Sequence, residues 1–191
     1  MEDAARARII HAAAELFNAK GYRSVTLSEL AARLGMSKKT LYQFFSGKEE
    51  IAAAVLERAM NAIAGKVAEI TSREDDPVRL FEETFRGIKQ EISSLSPLFL
   101  EDVQKHLPEL WGKVESFRAR QLSFIEHLLQ RAQQAGIARE VPVRLVAVLM
   151  TESIQHFVRP DFAARHGVAM ADIADTLFTL FIESIRIRRE P

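Results

Sequence analysis

The segment Thr26 to Phe45, TLSELAARLGMSKKTLYQFF, carries side chains whose types and spacing suit them to grip a polyanion. At about 100° per residue, a helix opening after Ser37 gathers Leu41, Phe44 and Phe45 on one arc and turns Lys39, Tyr42 and Gln43 the other way, with Lys38 and Thr40 flanking them. That polar face offers two ammonium groups, a hydroxyl, a phenol and an amide, the groups that reach phosphates and base edges when a helix enters the major groove. Lys48 adds a charge where a further helix begins, and Thr26 stands at the start of the helix before. Orphan backbone N–H groups and the helix dipole favour a phosphate at such ends. The candidate DNA-binding residues are therefore Thr26, Ser37, Lys38, Lys39, Thr40, Tyr42, Gln43 and Lys48.

Two short crossed helices are needed to aim these groups. Thr26-Leu27-Ser28-Glu29 reads as a capping box closed by Glu29, starting a helix with Leu27, Leu30, Ala31 and Leu34 turned inward. Gly35 supplies the positive φ for a tight turn, Gly35-Met36-Ser37, and Ala31 is small where the crossed helices must approach. A helix from Asp3 to Ala19, stopped at Gly21, precedes the pair, and Ser46-Gly47-Lys48-Glu49 reads as a second capping box opening a helix that reaches Ile70. Beyond Thr71, prolines at first helical positions and a stop at Gly136 predict helices near 77–94, 97–105, 108–135, 142–158 and 170–188, with 159–169 as a connection. Apolar residues recur with helical spacing almost throughout, and no segment sustains strand-type alternation. The expected fold class is all-α, with about nine helices: an N-terminal three-helix helix-turn-helix head and a C-terminal helical bundle.

With 191 residues, 48% of them hydrophobic, the chain can bury a sizeable core. Its net charge of zero conceals an asymmetry: Ala4 to Lys48 holds eight Lys/Arg against two Asp/Glu, while Glu49 to Pro191 holds eighteen against twenty-two. A basic head on a mildly acidic body fits local rather than whole-surface nucleic-acid binding. The absence of cysteine excludes disulfides, a thiol nucleophile, thiolate zinc sites and iron–sulfur clusters. There is no G-x-G-x-x-G, P-loop, H-E-x-x-H or G-x-S-x-G, and no Glu stands three residues before a His. Glu152 and His156 are four apart, a spacing that suits a surface contact better than a metal site. An enzyme, a cofactor and a metal are accordingly not expected. Because no apolar stretch approaches the roughly 18 residues needed to span a bilayer, and Met1-Glu2-Asp3 does not open a signal peptide, a cytoplasmic protein without a membrane partner is expected.

Gly21-Tyr22, Thr26, Leu30-Ala31, Gly35-Met36-Ser37, Thr40-Leu41-Tyr42, Phe45 and Ser46-Gly47-Lys48-Glu49-Glu50 together resemble the TetR/AcrR family of bacterial transcriptional regulators, over Arg6 to Val55. The resemblance implies a DNA-binding domain at 1–48, with the helix-turn-helix motif at 26–45. It also implies a ligand-binding and dimerisation domain at 49–191, entered through the fourth helix. A homodimer would bind palindromic double-stranded operator DNA, with Tyr42 and Lys48 on phosphates and residues 38, 39, 40 and 43 nearer the bases. Lys39 departs from the small residue or proline frequent in the family, which leaves the operator sequence open. Repression relieved by a small apolar or aromatic effector is the family default; activation, or a helix-turn-helix kept only for protein interaction, are the alternatives.

The body can be read for both implied tasks. It holds nine of the twelve Phe residues, and Phe85, Phe99, Val103, His106, Trp111, Phe117, Gln121, Phe124, His127 and Met150 form a candidate ligand-binding group drawn from four adjacent predicted helices. The last two helices are apolar around much of their girth, so Leu145, Leu149, Ile173, Leu177, Leu180, Phe181, Ser184 and Ile185 are the candidate dimer interface.

Overall fold

Caps and turn glycines divide the chain where the apolar periodicity does. The computed structural model describes residues 2–73, 76, 79–80, 83–84, 95–157, 160–185 and 187, and its regular structure is helical. The helices are α1 (Glu2–Ser24), α2 (Leu27–Leu34), α3 (Lys38–Phe44), α4 (Lys48–Thr71), α5 (Pro97–His106), α6 (Pro108–Gln134), α7 (Val143–Phe157), α8 (Pro160–His166) and α9 (Met170–Ile185). The expected helix at 77–94 lies mostly outside the described residues. Its described residues 79–80 and 83–84 are helical, and Asp76 starts the turn by accepting from the Arg79 and Leu80 amides.

Several boundaries differ from expectation, each for a local reason. The chain does not leave helical geometry for good at Gly21: that residue breaks α1 (φ 77°, ψ 163°) and a further turn follows to Ser24. The connection expected at 159–169 contains α8. Beyond Ile185 the chain runs back along the turn after α6, with Arg139 N–H donating to the Ile185 carbonyl (2.8 Å) and Ile187 N–H to that of Ile137 (3.0 Å). Gln133 Nε2 secures the same turn by donating to the carbonyls of Arg139 (2.8 Å) and Val141 (2.9 Å).

The chain forms two compact units, Met1–Ala64 with Glu91–Ser116, and Gly65–Gln90 with Phe117–Pro191. In the first, α1 is apolar around most of its girth and is covered accordingly by α2 and, more extensively, by α5. Ile9, Leu16 and Phe17 of α1 share one core with Leu30, Leu41, Phe45, Ile51, Val55, Phe99 and Val103. The unit that holds the helix-turn-helix therefore reaches beyond residue 48, taking in α4 as far as Ala64 and α5. The second unit is built around Ile70, Leu80, Leu128, Leu129, Ala147, Met150, Ile182 and Ile185. Among the described residues, no helix is long and apolar enough to cross a membrane.

Candidate nucleic-acid interface

The sequence positions α3 through two caps and one glycine. Thr26 is the N-cap of α2, its Oγ1 accepting from the Glu29 amide (3.1 Å). Only half of the expected box forms, because the Glu29 carboxylate turns to Lys20 instead. At the other end Gly35 (φ 65°) lets its own amide reach the Ala32 carbonyl and the Met36 amide reach that of Ala31, a Schellman closure. Ser37 then caps α3, its Oγ accepting from the Thr40 amide (3.1 Å) and lying 2.9 Å from Thr40 Oγ1. The second capping box also forms with a shifted partner: the Ser46 amide donates to Glu50 (2.6 Å), not Glu49. Those donors hold the Glu29 and Glu50 carboxyls below their ordinary range, through Lys20 for Glu29 and the Ser46 backbone amide for Glu50.

With α3 so fixed, Leu41 and Phe45 are buried and Phe44 is half-buried, while Lys38, Lys39, Tyr42 and Gln43 face solvent. Tyr42 is 55% exposed. The wheel drawn from sequence and the burial pattern agree. Thr26 and Ser37 are exposed too, each with its oxygen accepting the cap bond, and the Thr26 hydroxyl hydrogen is left to donate outward.

The structure also sorts the basic charge of the head. Arg33 pairs with Glu15, Lys20 with Glu29, and the Arg6 guanidinium lies 4.8 Å from the Phe45 ring centroid. Lys38 and Lys39 form no ion pair among the described residues, so the cations of α3 stay available. Lys48 departs from its expected place on a phosphate. Its ammonium turns inward, donating to the carbonyls of Tyr22 (2.9 Å), Val25 (2.9 Å) and, at longer range, Arg23 (3.4 Å), and it sits 4.3 Å from the Tyr22 ring centroid. Burial pushes its pKa below the usual lysine value, Asp102 opposes that shift and Arg23 adds to it. Those contacts make Lys48 a support for the turn before α2.

Sequence reasoning missed the other support of this turn. Asp102 Oδ2, on α5, accepts from the Arg23 amide at 2.9 Å. Nothing in the spacing of residue 102 marks it, since its partner lies 79 residues away. Gly21 carried a signal, but one that reads only as a helix stop.

The described candidate ligand residues are divided between the two units. Phe99 and Val103 are wholly buried in the first unit, where the Phe99 ring stacks on Phe17 at 5.1 Å, so both are core under α1. Trp111 packs against the same core and His106 is exposed at the end of α5. Phe117, Gln121, Phe124, His127 and Met150 belong to the second unit, with Met150 in its core and His127 exposed. Phe85 lies outside the described residues. Of the dimer candidates, Leu145 (55%), Leu149 (50%) and Leu180 (63%) are exposed. Ile173, Leu177 and Phe181 are half-buried, and Ser184 is exposed with its hydroxyl donating to the Phe181 carbonyl. Ile185 is a correction: it is buried in the second core, where its carbonyl takes the Arg139 amide, and does not face outward.

Residues 9–55 match the model of the bacterial regulatory proteins of the tetR family. The chain is 26% identical over 178 residues to the HTH-type transcriptional regulator YvaF of Bacillus subtilis, covering 90% of this chain and 92% of that protein. It is 29% identical over 165 residues to the HTH-type transcriptional activator FasR of Mycolicibacterium smegmatis, covering 83% and 74%. A Saccharomonospora viridis protein, described as a transcriptional regulator and solved in complex with choline, shares the fold with a TM-score of 0.78 at 22% identity, over 97% of this chain and 100% of that one. These relatives are regulators rather than enzymes, and the capped helix pair with its exposed polar face falls within the matched segment. The segment 9–55 is that of the bacterial regulatory proteins of the tetR family, and over most of its length the chain is similar to HTH-type transcriptional regulators.

Proposed function

We propose that the protein is a homodimeric repressor that binds a near-palindromic operator through α3 and is released when a small molecule binds its second unit. One observation carries the DNA part: Lys38, Lys39, Tyr42 and Gln43 are all exposed on a helix whose other face is buried and whose start is capped. Lys38, Lys39, Thr40 and Gln43 are assigned to base edges or their immediate neighbourhood, and Tyr42, Thr26 and Ser37 to the backbone. Lys48 acts from behind, on the turn. Residues 1–48 carry the DNA contacts, and 49–191 carry effector binding and dimerisation.

Two recognition helices must meet successive major grooves roughly 34 Å apart, which one subunit cannot do. The exposed leucines of α7 and α9 supply an apolar surface for a second copy. For the effector, the supporting observation is a pair of buried oxygens, Thr84 Oγ1 and Gln121 Oε1, that have no hydrogen-bond partner among the described residues. Each costs about 1–3 kcal/mol while unpaired, and polar groups on a bound molecule would recover that. With Phe117, Phe124 and Met150 in the same unit, an apolar or aromatic molecule with a hydrogen-bonding group fits best. The choline held by the S. viridis protein supports a small-molecule sensor without fixing the ligand's chemistry here.

The test is selection of duplexes from a randomised pool by the wild-type protein, followed by band shifts at two salt concentrations. A two-fold symmetric consensus, bound less tightly at higher salt, is expected. No enrichment, or an asymmetric site bound by a monomer, rejects the reading. The likeness to an activator, FasR, supports a second reading in which the bound dimer raises transcription. A reporter driven from the selected site, with and without the protein, separates the two.

A further inference from the structure

Five residues, Gly21 to Val25, join the regular part of α1 to the N-cap of α2. Their backbone groups are held by side chains of opposite charge from two different helices. The carbonyls of Tyr22, Arg23 and Val25 accept from the Lys48 ammonium on α4, and the amide of Arg23 donates to the Asp102 carboxylate on α5. Each charge is matched to the sign of the partial charge it meets, and charge-assisted bonds of this type are about twice as strong as neutral ones. Gly21 adds a steric reason for the fit. A Cβ there would lie 2.6 Å from Asp102 Oδ2 and 3.2 Å from Leu98 Cγ, so α5 closes on the turn to a distance that only glycine allows. The helix bearing Asp102 is itself fixed to α1, by the Ser96 amide donating to Asn18 Oδ1 (2.8 Å) and by the Phe17–Phe99 stack.

We propose that Asp102 is a positioning residue for operator binding: from α5 it holds the turn 21–25, which sets the cap of α2 and through it the posture of α3. The proposal rests on the reading that the head binds DNA. It runs against simple electrostatics, because an acid near a polyanion repels it and its removal should strengthen binding. If Asp102 works through the turn, removing its acceptor weakens binding instead.

The experiment uses the full chain and a duplex selected by the wild-type protein. Operator affinity is measured at three salt concentrations for wild type, Asp102→Ala and Asp102→Asn, alongside hydrogen exchange of the Arg23 amide. Asp102→Ala should lose about tenfold in affinity with an unchanged salt slope, and its Arg23 amide should exchange about tenfold faster. Asp102→Asn keeps an acceptor of the same size and should bind within about threefold of wild type. Gly21→Ala, which forces a methyl group against the carboxylate, provides the second variant and should also lose affinity as the Arg23 amide opens. Asp102→Ala or Gly21→Ala binding the duplex as tightly as wild type overturns the assignment, as does an Arg23 amide indifferent to both. A wild-type protein that selects no duplex overturns the DNA-binding reading itself, and is told apart from the other outcomes because it appears before any variant is made.

Discussion

Gly35 and Gly21 both hold positive φ next to a helix of the DNA-binding head, yet the two turns are built by different means. The turn at Gly35 is closed by its neighbours: two backbone bonds return to Ala31 and Ala32, and a Cβ there would meet nothing within 4 Å. The turn at Gly21 is closed by side chains from α4 and α5, and a Cβ there would collide with one of them. One turn is local and carries its own instructions. The other exists only when three helices are already in place, so its posture can respond to whatever moves them.

The contrast between local and tertiary determinants yields ordered predictions. The largest effect belongs to a contact that no single head can supply. Leu180→Glu places a charge in the proposed subunit interface, and sedimentation should show monomers with operator affinity reduced about a hundredfold or more. A dimeric variant that binds normally would mean that α9 is not the interface.

The two glycines come next. Gly35→Ala meets only αL backbone strain, about 1–2 kcal/mol, whereas Gly21→Ala must hold φ 77°, ψ 163°, a region kept almost wholly by glycine, and also meets Asp102, so it should cost more, about 2–4 kcal/mol. Equal shifts in urea midpoint would erase the distinction between the turns.

A similar contrast separates Lys48 from Lys38. Lys38→Ala should lower the salt slope of operator binding by about 1, as expected when an exposed cation is lost from the DNA-facing surface. Lys48→Ala should weaken binding with the slope unchanged, since its donors face carbonyls. A slope change of the same size in both variants would return Lys48 to the phosphates.

Polar groups differ between regions as well. The capping oxygens of the head, at Thr26, Ser37 and Glu50, are paired, while Thr84 Oγ1 and Gln121 Oε1 in the second unit are not. Thr84→Val removes an unpaired hydroxyl at constant shape and should stabilise the free protein by about 1 kcal/mol, read as a rise in Tm. A fall in Tm would show that the hydroxyl is satisfied in solution. The smallest effect concerns acid. Because Glu50 is held below its ordinary value of 4.5, its contribution is present above that pH and is lost as pH falls through the lower value in the folded protein. Glu50→Gln should therefore flatten the stability profile between pH 5 and pH 3 and leave the difference from wild type constant above pH 5.

How much was legible in sequence follows the same division. The starts of α2 and α3, the turn at Gly35, the buried arc of α3 and the opening of α5 at Pro97 are all readable, because each is fixed by residues within five positions of one another. Errors appeared where a side chain had a choice of partners. Glu29 was expected to close a box and instead pairs with Lys20, and the Ser46 amide chose Glu50 over Glu49. A helix start attracts a phosphate and so suggests one for Lys48, while the carbonyls 23–26 residues earlier that accept from its ammonium lie beyond the reach of that argument. Sequence places Phe99 in a ligand-binding group and Ile185 in the dimer interface, but an apolar residue at helical spacing does not name what covers it, and both lie in cores.

By itself, then, the sequence determined that the chain is helical, where α3 starts and ends, which of its faces is polar, and which family the head resembles. Those properties depend on interactions between near neighbours, whose geometry a helix fixes as soon as it forms. Only the tertiary structure decided that α5 belongs with the head, that Asp102 and Lys48 grip one turn, and that Lys38 and Lys39 of α3 form no ion pair among the described residues. These contacts join residues tens of positions apart, and which of several possible partners a charge or an aromatic ring takes is settled when the helices pack, not when they form.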